Sequence, residues 1–306
     1  MQGFLIIDKP AGITSHDVVR RVRRAAGMRR VGHAGTLDPM ATGLLPVALG
    51  DATRLIEYFS DREKGYSAVM RLGSETDTQD SEGVELAAAD WSGIDAAQVE
   101  AALVQFRGEI EQIPPMYSAL KKDGVPLYKL ARQGIEIERP VRKMTIHSLE
   151  MTGFAPPEVC FDVVCSKGTY VRTLCHDLGR KLGCFAHMTG LRRFLHGRFD
   201  LSSAVSLDEV EQRGAENLSE LLLSPLDALN YMPRCSIEGE AYDRLLNGIP
   251  PAFDEVVVES GHCQDGDLVC LTQGTELLAV VRYEPQRQTE IRGDFRLQKV
   301  FHPQES

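Results

Sequence analysis

Residues 31–45 read Val-Gly-His-Ala-Gly-Thr-Leu-Asp-Pro-Met-Ala-Thr-Gly-Leu-Leu, and this stretch constrains the chain more than any other. Gly32, Gly35 and Gly43 permit backbone conformations or close approaches that a side chain would block. Pro39 drives Asp38 out of the helical region. The segment is therefore a loop with a single acid, Asp38. Asp before Pro is also ordinary turn chemistry, so on local grounds a turn acid is the commoner reading. Loops carry much of protein function, and the rest of the chain has to decide.

The 306 residues suffice for one large domain and a small one. The start lacks a basic n-region, so no signal peptide is expected, and no apolar run reaches the length of a membrane span. Seven cysteines form no Cys-x-x-Cys pair. That argues against a disulfide framework and a zinc ribbon, and for a reduced cytoplasm.

The net charge of −10 is uneven. Residues 1–200 carry 26 Lys and Arg against 25 Asp and Glu, whereas residues 201–306 carry 8 against 19. The basic residues of the first part cluster at Arg20, Arg21, Arg23, Arg24, Arg29 and Arg30, just before the Asp38 loop. A second cluster contains Lys121, Lys122, Lys129, Arg132, Arg139, Arg142 and Lys143. Local patches of this kind set phosphate affinity, although a solvated helix face is the plainer reading of either cluster alone.

In chain order, residues 4–7 read as a buried strand. Ser15 is placed to cap a helix that buries Val18, Val19, Val22 and Ala26 and stops at Gly27. Residues 43–49 read as a strand, and Asp51 as the cap of the next helix. Further strands are expected at 64–73, 116–120, 144–151, 159–165 and 187–199, with helices opening at Asp95, Leu127, Thr169 and Ser206. Residues 76–83 lack the ligand order of a calcium loop and read as a solvated turn or a positioning loop. The basic, turn-rich stretch 117–143 reads as a projecting arm. From about Tyr231 a short helix among short strands predicts a small, mostly β appendage.

No P-loop, Rossmann fingerprint or Gly-x-Ser-x-Gly elbow occurs, and five of the histidines, at 33, 147, 176, 187 and 196, never fall three or four apart. No cofactor and no metal are expected. What remains is a loop aspartate, a strand tyrosine and an arginine, Arg172, placed to pair with the acid. A carboxylate nucleophile needs such a partner, because burial raises its pKa while a guanidinium lowers it.

Gly32-His33-Ala34-Gly35-Thr36-Leu37-Asp38-Pro39-Met40-Ala41-Thr42-Gly43 resembles the catalytic motif of the TruB family, the bacterial tRNA pseudouridine synthases that modify uridine 55 in the T loop. Lys64-Gly65-Tyr66, Thr76-Asp77-Thr78-x-Asp80, the stretch Pro114-Pro115-Met116-Tyr117-Ser118-Ala119-Leu120-Lys121, Tyr128-x-x-Ala131-Arg132-x-Gly134, Ser166-Lys167-Gly168-Thr169-Tyr170-Val171-Arg172 and Leu191-Arg192-Arg193 resemble family blocks in the same order. The resemblance covers about residues 3–200. Departures are modest: Met40 stands where Leu is usual, and Cys175, His176 and His196 replace commoner residues.

The resemblance implies an α+β pseudouridine synthase fold, with a mixed, mainly antiparallel sheet flanked by helices and loops. It implies a catalytic domain at 1–230, with a basic RNA-binding arm at about 117–143, and a PUA-like β domain at 231–306. Asp38 would be the nucleophile, Tyr66 would stack on the base and Arg172 would pair with Asp38. His33, Lys9, Gly32, Thr36, Tyr170 and Leu191 would contact substrate. Arg20, Arg24, Arg29, Arg30, Lys121, Lys122, Arg132 and Arg142 would meet the RNA backbone. The expected partner is the T stem-loop of tRNA, met by a monomer with no membrane and no obligatory protein partner. A T-loop-binding RNA chaperone and a guide-RNA-dependent synthase are the alternatives.

Overall fold

A computed structural model describes residues 1–60, 63–286 and 293–302. The strands are β1 (Gly3–Lys9), β2 (Val31–His33), β3 (Thr42–Leu49), β4 (Lys64–Leu72), β5 (Ser74–Thr76), β6 (Glu85–Ala88) and β7 (Gly108–Gln112). There follow β8 (Lys121–Lys122), β9 (Val125–Pro126), β10 (Arg142–Ala155), β11 (Glu158–Cys165), β12 (Ala186–His196), β13 (Phe199–Asp200) and β14 (Val205–Ser206). The C-terminal unit adds β15 (Arg234–Ile237), β16 (Val256–Ser260), β17 (Leu268–Gln273), β18 (Glu276–Tyr283) and β19 (Phe295–Val300). The helices are α1 (Ser15–Ala26), α2 (Glu57–Ser60), α3 (Ala96–Val104), α4 (Leu127–Ala131), α5 (Val171–Leu182), α6 (Leu207–Asn217), α7 (Pro225–Ala228) and α8 (Gly239–Leu246).

The fold is α+β. The main sheet runs β14-β1-β3-β12-β4-β11-β10-β7, with β2 beside β3 and β13 beside β12. Its pairs are antiparallel except β1 with β14 and β3 with β12. At that second parallel junction Gly43 faces Arg193, and a Cβ on Gly43 would lie 2.3 Å from the Arg193 carbonyl oxygen. Only glycine lets these two strands meet.

Helix α1 forms where its sequence directs, with Val18, Val19, Val22 and Ala26 buried and arginines outward. Its cap is Thr14, not Ser15: Thr14 and Asp17 form a capping box, and Gly27 ends the helix at φ 61°. Ser15 is freed for another task, described below. Asp51 does not cap a helix either; it pairs with Arg30 in a 3-10 segment. Residues 116–120 form no strand, because that chain bends over the sheet to meet helix α5.

Helices α3 and α5 cover one face of the sheet through Val99, Leu103, Leu174 and Leu178, packed on Met70 and Phe161. Helices α1 and α6 cover β1 and β3 elsewhere. The small C-terminal unit is a five-stranded sheet, β16-β15-β17-β18-β19, closed by α8. It shares an apolar seam with the large unit, in which Phe4, Phe59 and Phe199 pack with Leu226, Cys270 and Phe301. Each large side chain so buried contributes about 1.5–3 kcal/mol. Among the described residues no helix is long and apolar enough to cross a membrane.

Candidate active site

The Asp38 loop is held from both sides by residues far from it in sequence. On one side, the Ser15 hydroxyl accepts from Leu37 N at 2.8 Å and donates to Leu37 O at 3.1 Å. Lys9 is fully buried, and its Nζ donates to the carbonyls of Ile13, Pro10 and Pro39 at 2.7, 2.9 and 3.1 Å. Burial pulls the Lys9 ammonium down to about 8, against the attraction of Asp38. On the other side, Arg193 donates to the carbonyls of Leu44, Gly35 and Thr36 at 2.6, 3.1 and 3.5 Å. Asp38 is thus presented by a fixed backbone.

Arg172, in the first turn of α5, meets it. Its Nη1 lies 3.0 Å from Asp38 Oδ2 and 3.2 Å from Asp80 Oδ2, while Nη2 donates to Tyr117 O at 2.7 Å. Asp80 is fixed in turn: its Oδ1 accepts from the Thr78 hydroxyl at 2.6 Å and Glu82 N at 3.1 Å. The arginine is 6% exposed and Asp80 hardly at all, whereas about a third of the Asp38 side chain faces open space. Burial raises the Asp38 carboxyl above its ordinary range and Asp80 adds to that; Arg172 and Lys9 oppose it without reversing it.

Asp38 opens onto a cavity of about 280 Å³ bordered by Tyr66, Tyr117, Tyr170, Arg172 and Leu191. That volume lies at the small end of ligand sites and suits one nucleobase. Tyr66 stands on β4, directly opposite Arg193 on β12. Burial pushes its phenol up, and the neighbouring Arg193 opposes the shift. A larger groove of about 780 Å³ lies nearby among the arm, α5 and the β5–β6 hairpin, lined by Glu75, Asp77, Glu111, Glu136 and Asp177 together with Arg139, His176 and Arg180.

Residues 23–171 match the TruB family pseudouridylate synthase N-terminal domain, and residues 172–229 match the tRNA pseudouridylate synthase B C-terminal domain. A tRNA pseudouridine synthase B of Syntrophotalea carbinolica is 51% identical over 302 residues, covering 99% of this chain and 98% of that one. A protein of the same name from Geotalea uraniireducens is 45% identical over 305 residues, covering 99% and 98%. The chain belongs to the TruB family. It is a pseudouridine synthase, an isomerase. Among solved structures, a Cbf5-Nop10-Gar1 complex includes a chain that superposes with a TM-score of 0.74 at 27% identity, covering 98% of this chain and 85% of that one.

In this TruB chain Thr36, Tyr66, Tyr170, Arg172 and Leu191 border one cavity with Asp38. Lys9 and Gly32 do not. Lys9 is enclosed and spends its three donors on carbonyls, so it supports the loop. Gly32 lies behind the loop, where a Cβ would come within 3.0 Å of Ile56. His33 also stands outside the cavity lining, with burial holding its imidazole below its usual pKa.

Of the clustered cations, Arg24, Arg29, Lys121, Lys122 and Arg142 are exposed, as are Arg20 and Arg30, which pair with Asp17 and Asp51. Arg132 lies over the Tyr128 ring at 5.6 Å. Arg21 is bound by Glu211 at 2.6 Å and Asp208 at 3.0 Å, and Arg23 donates to Val31 O, so those two hold the fold.

Sequence reasoning left out Asp80, Arg193 and Tyr117. Each lies in a block that marks the resemblance, but spacing alone does not say which acid or arginine of a block turns inward. Thr76 and Thr78, four and two residues before Asp80, are the sequence signal for a built turn: both hydroxyls donate to Asp80 oxygens.

Proposed function

We propose that this TruB chain converts uridine 55 of tRNA to pseudouridine as a stand-alone, cofactor-free enzyme with Asp38 as its nucleophile. The single observation that carries the reading is the Asp38–Arg172 pair at the mouth of a base-sized cavity. The names of the relatives, tRNA pseudouridine synthase B, supply the substrate class.

The uridine is extruded from the T loop into the cavity, stacks on Tyr66 and is walled by Leu191. The Asp38 carboxylate attacks C6 of the base or C1′ of the ribose, and the bond from C1′ to N1 breaks. The uracil turns and bonds to C1′ through C5, the bond to Asp38 breaks to free the carboxylate, C5 loses its proton to restore the ring double bond, and N1 gains one. Substrate and product share one composition, so the balance calls for no cofactor. Thr36 and Tyr170 border the base, and His33 meets the T loop outside the cavity. Arg20, Arg24, Arg29, Arg30, Lys121, Lys122, Arg132 and Arg142 meet backbone phosphates, and recognition is by folded shape.

We assign residues 1–230 to the catalytic domain, with 117–143 as its RNA-binding arm, and 231–306 to a PUA-like domain. The enzyme works as a monomer in the cytoplasm without an obligatory protein partner. A guide-dependent reading draws support from the Cbf5-Nop10-Gar1 likeness, but at 27% identity against 51% for the tRNA enzyme.

Carbodiimide labelling of a free T-stem-loop RNA incubated with the pure chain tests the activity and its independence of partners. Pseudouridine should form with no other component. Full turnover by Asp38→Asn would remove the nucleophile assignment, and activity only with a guide RNA would favour the second reading.

A further inference from the structure

Arg193 is the largest fully buried side chain among the described residues, and no carboxylate among them pairs with it. A guanidinium withdrawn from water without a counter-charge is costly, and such groups persist where something else requires them. Three of its five N–H groups are engaged by the carbonyls of Leu44, Gly35 and Thr36. Those carbonyls belong to the Asp38 loop and the strand after it, so they fix the guanidinium rigidly.

The register of β12 on β4 sets Arg193 directly across from Tyr66, and both residues border the cavity. A fixed guanidinium across the strand pair from the phenol attracts the phenolic oxygen and repels its proton. A phenol has one proton to donate and lone pairs to accept with. With Arg193 on the acceptor side, the proton points elsewhere.

We infer that Arg193 is a positioning residue that acts through Tyr66. Pinned by three carbonyls, it occupies the acceptor side of the Tyr66 hydroxyl and turns the phenolic proton toward the base in the cavity. The inference rests on the pseudouridine reading above. A merely structural Arg193 would brace the Asp38 loop and have no special relation to Tyr66.

A double-mutant cycle separates the two roles. Single-turnover rates and RNA affinities are measured on a T-stem-loop RNA for the unmodified chain, Arg193→Lys, Tyr66→Phe and the double variant. Arg193→Lys should slow the step by about tenfold or more and leave RNA affinity within about twofold. In the Tyr66→Phe background the same change should cost less than about threefold, because the hydroxyl it sets is gone. Equal losses in both backgrounds overturn the inference while leaving the function intact. An unmodified chain that forms no pseudouridine removes the functional reading, and the inference with it.

Should Arg193→Lys fail to fold, the Tyr66→Phe chain decides alone. Arg193 side-chain protons exchanging about tenfold faster than in the unmodified chain, followed by NMR of labelled arginine, support the contact. Unchanged exchange overturns it.

Discussion

Arg172 Nη1 lies 3.0 Å from Asp38 Oδ2, and the same nitrogen lies 3.2 Å from Asp80. One guanidinium therefore serves two carboxylates while also donating to the arm at Tyr117 O. A lysine reaches only one direction well and cannot reproduce this fork. Arg172→Lys should lower the single-turnover rate by about two orders of magnitude or more, the scale of a broken buried pair, with little change in RNA affinity. Quench-flow assays with filter binding check it; a loss in affinity alone would contradict it.

Acid pH should expose the burial of Asp38. Its carboxyl is raised above the ordinary range, chiefly by desolvation, so the carboxylate proposed as nucleophile is lost as pH falls through that raised value. The acid limb of the rate profile should lie above about 4, where a free aspartate titrates. The same shift sets the sign for stability. The folded state binds this proton more tightly than the unfolded chain, so ionisation of Asp38 costs stability as pH rises through the window between the two values. Asp38→Asn should then abolish turnover while the melting temperature at neutral pH holds or rises.

Lys9→Met should act on the loop and not on substrate contact. The change leaves the carbonyls of Pro10, Ile13 and Pro39 without their shared donor in a buried site. Roughly 2–4 kcal/mol of stability should go, with the rate falling as the loop shifts. Thermal melts and turnover are the measurements; an unchanged melt with weakened RNA binding would return Lys9 to the substrate site.

Replacing Lys121 and Lys122 by alanine should weaken RNA binding without slowing the step at saturating RNA. Both are exposed on the β8–β9 hairpin, away from the cavity. For every phosphate no longer neutralised, the slope of log affinity against log salt should flatten by about 1.

Removing residues 231–306 would not isolate an RNA-binding contribution. The cut strips Cys270, Val280 and Phe301 from the seam they share with Phe4, Phe59 and Phe199. The shortened chain should bind hydrophobic dyes and aggregate. If it stays monomeric and melts cooperatively, the seam contributes little.

Much of this was legible in the sequence for physical reasons. Helix α1 announces itself through the spacing of Val18, Val19, Val22 and Ala26, and the Asp38 loop through its glycines and proline. The two ends of the ion pair, Asp38 and Arg172, come from the family blocks. Exposure was the illegible part. Lys9 is expected to contact substrate and is enclosed. Asp80 sits in a polar run that reads as a solvated turn or a positioning loop, and its burial against Arg172 favours the second. Residues 116–120 have strand-like composition, yet tertiary contact with Arg172 through Tyr117 O decides their course.

The contacts of Arg193 with the loop have a consequence for synthesis. Gly35 and the arginine that fixes it are 158 residues apart along the chain. Arg172 and Asp80 join the same site from positions 92 residues apart. A chain leaving the ribosome carries its aspartate early but lacks the groups that aim it until more than half its length has emerged. An unfinished chain should thereby be inert toward RNA, with competence arriving late, with β12.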